Sequence, residues 1–267
     1  MLIKDRDARE GAAEQLKGLL SLNLSARKKF LVERELKNIC PGRDGGKNAS
    51  HFINFYYADS RNWAIIHDLK IEANGSAAHI DHLLINRFLD IYLLESKNYT
   101  YSLKITTEGE FLVFDGRRYQ VVVSPLEENE KRVQVLKNAL IDNNIIPKRM
   151  GFVCRPQIKS FVLVSPKSNV LRPPETIYDT SSVITGDFLI NSLLKQARRA
   201  KRVYLQLKRL PKAVKTEALA EIAGKLAALN KPSLIDSQQL FSSDDLGETQ
   251  ILRSASPEAA ADCDYAI

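Results

Sequence analysis

Residues 80–98, IDHLLINRFLDIYLLESKN, constrain the fold more than any other stretch, because they read as a β-hairpin that carries charge where a buried hairpin tolerates little. Ile80 to Ile85 and Ile91 to Leu94 are apolar runs of strand length, bounded by the polar or turn-forming Asn86, Arg87 and Asp90. A loop centred on Phe88 sets Ile85 against Ile91, Leu83 against Leu93 and Asp81 against Glu95, all on one face because side chains repeat with period two. Lys97 shares that face. Carboxylates directly opposite one another have Cβ atoms roughly 5 Å apart and repel, so the arrangement lowers stability unless a cation lies between them. Such a conflict between local chemistry and fold marks a functional site.

At 267 residues and 44% hydrophobic content, the chain can bury one substantial core with a smaller appendage, in one or two domains. Its formal charge of +7 makes a polyanion a plausible partner. The charge is unevenly spread: residues 195–225 hold ten Lys/Arg against two acids, and residues 231–267 hold two against seven. The three cysteines, Cys40, Cys154 and Cys263, show no CxxC or Cys/His spacing, which argues against a disulfide framework and a zinc module. Lys4, Asp5, Arg6 and Asp7 interrupt any apolar leader, and no apolar run approaches the length of a membrane span. The expectation is a cytoplasmic protein in a reducing compartment, with no membrane partner.

Apolar positions at helical spacing predict surface helices over 5–22 and 25–39, and after the breaker cluster Pro41 to Gly46 a further helix from about Lys47 to Tyr57. Trp63 to Ile71 reads as a strand, and Glu72 to Ser76 as the turn into the hairpin. Short half-exposed strands are expected within Tyr101–Thr107 and Glu110–Val123. Ser124-Pro125, followed by Glu127 and Glu128, reads as a helix start, with Val133, Leu136 and Leu140 as its apolar face. Lys159 to Ser165 is a buried strand. Two basic helices, 187–209 and 212–229, and an acidic flexible tail complete the chain. The order predicts an α/β (α+β) fold, with a mixed central sheet flanked by helices.

Asp81, followed by Glu95-Ser96-Lys97 at the end of the next strand, resembles the PD-(D/E)xK nuclease signature. The surrounding wording, NWAIIHDLKIE (62–72), HIDHLLINRFLDIYLLESKN (79–98) and SPLEENEKRVQVL (124–136), is similar to the nuclease-related domain (NERD) family within that superfamily. The resemblance covers residues 42–185 and implies a restriction-endonuclease-like domain there, with an N-terminal helical extension over 1–41, a basic helical segment over 186–230 and the tail over 231–267. It also implies a bacterial-type Mg²⁺- or Mn²⁺-dependent nuclease acting on DNA. Asp81, Glu95 and the backbone carbonyl of Ser96 would hold the metal, a set that suits a hard cation. Lys97 would hold or help deprotonate the attacking water and stabilise charge developing on phosphorus.

This chain departs from the family pattern at three positions. Gly45-Gly46-Lys47 stands where relatives open a helix with Gly-Glu, Glu128 replaces a Gln, and Arg132 replaces a His. Glu128 can support the site as a carboxylate, and His79, on Asp81's face by parity, is a possible substrate contact. His82 falls on the opposite face, in a packing or hydrogen-bonding role, and Asp68 is expected to satisfy local backbone or pair with a surface base. Arg198, Arg199, Lys201 and Arg202 are candidate phosphate contacts. Two alternatives stand beside the enzyme. One is a structural ion-pair cluster at the strand ends; the other is a catalytically impaired nuclease fold that serves as a nucleic-acid-binding or interaction module.

Overall fold

The computed structural model describes residues 1–7, 16–22, 24, 29, 32–33, 45–99, 101–149, 152–153, 156–166, 168–185 and 213–231. Most of the expected N-terminal helices, the segment with Arg198, Arg199, Lys201 and Arg202, all three cysteines and nearly all of the acidic tail lie outside the described residues. The central sheet has six strands: β1 (Leu2–Lys4), β2 (Trp63–Ala73), β3 (Ser76–Asn86), β4 (Asp90–Lys97), β10 (Gln157–Val164) and β12 (Val183–Thr185), in that spatial order. β2, β3 and β4 run antiparallel to their neighbours in turn, whereas β1, β10 and β12 join parallel. The fold is thus mixed α/β, as the order of elements predicts. β1 was not expected, since three residues are too few to show a period; residues 5–7, expected to begin a helix, are not helical.

Two turns fix the register of the three central strands. Asn74 and Gly75 both adopt left-handed backbone (φ 51° and 72°), the signs of a type I′ hairpin turn whose twist suits the flanking strands. At the second turn, Asn86 Oδ1 accepts from the N–H groups of Phe88 and Asp90 at 2.9 and 3.0 Å. The expected register follows, with Leu83 opposite Leu93 and Ile85 opposite Ile91.

Helices cover both faces. On one face, α2 (Pro125–Asp142) and α3 (Thr216–Ala228) lay Leu136, Ala139, Leu140, Leu219, Ala223 and Leu226 against Leu83, Ile85, Ile91 and Leu93. On the other, α1 (Gly45–Tyr57) contributes Ile53 and Tyr57 to a core with Ile65, Leu84, Tyr92, Leu94 and Phe161. Each such buried Leu or Ile contributes roughly 1.5–3 kcal/mol. Ser124 caps α2 as expected: its side chain accepts from the N–H of Glu127, and Pro125 occupies the first helical position. That cap aims the first turn of α2, with Glu128, at the end of β4.

A second sheet, β11-β5-β6-β7, uses β5 (Ser102–Ile105), β6 (Phe111–Phe114), β7 (Tyr119–Val122) and β11 (Asn169–Leu171). A two-stranded pair, β8 (Lys148–Arg149) and β9 (Phe152–Val153), completes the strands. The β5–β6 turn needs Gly109, which has φ +85° and where an added Cβ would lie 2.5 Å from the Tyr178 ring. Gly109→Ala is therefore expected to lower stability by about 1–3 kcal/mol, seen as a lower urea midpoint at unchanged slope.

Candidate active site

The β3–β4 ladder ends at His82–Leu94, while β4 continues along β10 to Lys97. Asp81 and Glu95 are the next residues in register, at the place where the two strands part. This gap admits side chains from α2. Glu95 is buried, and its Oε1 lies 3.2 Å from both Lys97 Nζ and Arg132 Nη2. Lys97 Nζ also reaches Glu128 Oε2 at 3.1 Å, and Arg132 Nη2 lies 3.7 Å from the same atom. Two acids and two cations thus form one cluster between β4 and α2.

Burial, then the nearby Asp81 carboxylate, pushes the Glu95 carboxyl up to about 7, against the pull of Arg132 and Lys97. Burial draws the Lys97 ammonium down, but the Glu95 and Glu128 carboxylates together outweigh it and hold the group above its ordinary value. Lys97 is therefore a cation at neutral pH. It can donate to water or a phosphoryl oxygen, and it is poorly suited to accept a proton.

Asp81 is anchored by the N–H of Ser96, which donates to its Oδ2 at 2.8 Å. Its other oxygen faces a second group: Asp68, His79 and Asp81 present ligand atoms that all lie within 4.8 Å of one another. His79 Nε2 is 3.6 Å from Asp68 Oδ1, and His79 Nδ1 is 4.0 Å from Asp81 Oδ1. Two carboxylates and an imidazole at this spacing fit a divalent cation, and the nitrogen donor suits Mn²⁺ better than Mg²⁺.

Asp68 sits opposite Asp81 in the β2–β3 register, but no ladder pair forms there, because its backbone is left-handed (φ 47°). Ala64 and Ile66 before it, and Leu69 and Ile71 after it, enter the same core, so alternation slips at this position. Such backbone in a non-glycine residue costs about 1–3 kcal/mol and persists only where neighbours hold it. Here they do: Arg6 Nε and the N–H of Asp7 approach Asp68 Oδ2 at 3.4 and 3.3 Å, and Lys4 donates to the carbonyls of His67 and Asp68. The expectation of local backbone and a basic partner describes these contacts, but it misses the clustering with His79 and Asp81. The Asn74-Gly75 dipeptide carried that information, since a two-residue turn there fixes the register that opposes Asp68 to Asp81.

Arg132 is held on every side. Nε donates to the His79 carbonyl at 2.9 Å and Nη1 to Asn129 Oδ1 at 3.2 Å, while buried Asn129 donates to the carbonyl of Phe161. Tyr99, which no motif in the sequence marks, is a further neighbour of Glu128 and Glu95. Burial, then Glu128 and Glu95, pushes its phenol up to about 12, so it remains a donor. His82 does lie away from Asp81, fully buried against His67, and burial holds both imidazoles below their ordinary value, His67 at about 4.

Acids on adjoining strands, a lysine two residues on and a third acid from α2 thus converge at one end of a mixed α/β sheet. Residues 41–165 match the family model of the nuclease-related domain, and that span of the chain is a nuclease-related domain. No curated protein and no solved structure matches the chain. Among the described residues, no helix is long and apolar enough to cross a membrane.

Proposed function

We propose that the chain is a metal-dependent nuclease that hydrolyses DNA phosphodiesters at a PD-(D/E)xK-type site in a restriction-endonuclease-like domain over residues 42–185. The observation that carries this reading is the Lys97 ammonium, held 3.2 Å from Glu95 and 3.1 Å from Glu128 at the strand end beside Asp81. Asp81, Glu95 and the Ser96 carbonyl would hold Mg²⁺ or Mn²⁺, and Asp68 with His79 offers Asp81 a second donor set. When bound, the ion would polarise the phosphoryl group and acidify a water. Lys97 orients that water and offsets charge on the phosphoryl oxygens, and Glu128 keeps Lys97 charged and in place. Arg198, Arg199, Lys201 and Arg202, in the basic segment 186–230, would meet backbone phosphates; residues 1–41 are the extension and 231–267 the tail.

Incubating the full chain with plasmid and linear DNA tests the reading. Cleavage is expected with Mg²⁺ or Mn²⁺ and none with EDTA, and Asp81→Ala should abolish metal binding in calorimetry. Cleavage that persists in EDTA would overturn it. A second reading, a nuclease fold that binds nucleic acid without cutting it, is favoured by the Arg132 guanidinium on Glu95 and by Gly46 in α1. It requires salt-dependent DNA affinity without turnover.

A further inference from the structure

A continuous hydrogen-bonded chain crosses beneath the site, from α1 through β2 and β3 to β4. Asn54 Oδ1 lies 3.0 Å from His67 Nε2, His67 Nδ1 lies 2.9 Å from His82 Nδ1, and His82 Nε2 lies 3.2 Å from Ser96 Oγ. Both rings are fully buried, and they meet edge to face at 89° with no stacking overlap. Side-chain chemistry fixes the order of protons along it. An amide oxygen only accepts, so His67 carries its proton on Nε2 and presents a bare Nδ1. His82 must then donate from Nδ1, which leaves its Nε2 to accept from the Ser96 hydroxyl. In that order, set by the Asn54 amide oxygen, each ring nitrogen is satisfied once and the two histidines are opposite tautomers.

The last member of the chain is the residue whose N–H grips Asp81 at 2.8 Å. We infer that Asn54, His67 and His82 are positioning residues, which set Ser96 by a fixed proton order and through its N–H aim the Asp81 carboxylate. A buried pair needed only for packing would be served by two apolar side chains, without an acceptor in α1 or a hydroxyl in β4. The residue between Glu95 and Lys97 is thus used at its side chain as well as its backbone, since its hydroxyl makes the last bond of the chain. Partners of this kind, which orient a ligand without touching the metal, commonly alter metal affinity or activity about tenfold or more when removed.

The inference rests on the nuclease reading only where cleavage is measured, so its test has two independent arms. In the first, the full chain with isotope-labelled histidine ring nitrogens is examined by long-range proton–nitrogen NMR near neutral pH in EDTA. Single substitutions of the four histidines assign the signals. His67 is expected as the Nε2–H tautomer and His82 as Nδ1–H; two Nε2–H rings, or the reverse order, overturn the inference. In the second arm, Ser96→Val is compared with its isostere Ser96→Thr. Val is expected to weaken Mn²⁺ binding about tenfold and to lower kcat by a similar factor with KM nearly unchanged, while Thr stays within about twofold of the parent. Equal Mn²⁺ affinity in the Val and Thr proteins overturns it. If the parent cuts no DNA, the nuclease reading fails while the NMR and calorimetry still decide this one.

Discussion

Lys97→Ala is expected to reduce DNA cleavage by about a hundredfold to ten-thousandfold while leaving the protein folded, since Lys97 is the cation free enough to serve the reacting groups. Arg132 has comparable charge and lies on the same Glu95 oxygen, yet it is committed to the His79 carbonyl, Asn129 and Glu95 together. It cannot swing to replace the lysine without breaking those bonds. Lys97→Ala also leaves Glu95 paired with Arg132, so the structural loss is modest and the kinetic loss large. Circular dichroism and a plasmid-nicking time course separate the two; a variant within about threefold of the parent would show that Lys97 has no part in the chemistry.

Between pH 6.5 and about 4, buried His67 is expected to withdraw about 3 kcal/mol of stability. The sign follows from the depressed pKa. In this window the unfolded chain takes up a proton at His67 that the folded chain refuses, so stability is complete above the upper limit and is lost as the pH falls to the lower one. His82, also depressed, adds to the loss. Glu95 works in the opposite sense, because its raised pKa favours the folded protein on acidification. The whole-protein profile is therefore shallower than the histidines alone dictate. Urea titrations of the parent and of a His67→Gln/His82→Gln variant, subtracted at each pH, cancel the Glu95 contribution. A difference that stays constant from pH 7 to 4 would contradict the assignment.

The parts of the fold legible in the sequence are those set by local period and by turns. The pairing of Leu83 with Leu93 follows from alternation and a short loop, and α2 is announced by Ser124-Pro125 before its apolar stripe. What alternation cannot reveal is where it fails. At Asp68 a single left-handed residue shifts the side chains of β2, and an acid that reads as incidental joins His79 and Asp81. Arg132 was legible as a departure from the family pattern, but its grip on the His79 carbonyl, 53 residues away, depends on helix placement rather than on spacing. Alternation puts His82 on the face away from Asp81, where it lies; its meeting with His67 there depends on the β2 register.

Asp68 also shows that the span that marks the family is smaller than the unit that holds the site. Residues 41–165 match the nuclease-related domain, yet Lys4, Arg6 and Asp7 brace the strained Asp68, while Leu219, Ala223 and Leu226 close the core under β2 and β3. A segment exchanged between proteins at the family limits would carry the signature residues and leave behind the flanking segments that pack against them. A segment meant for recombination therefore has to reach past the matched span on both sides, to Lys4–Asp7 and to Leu226.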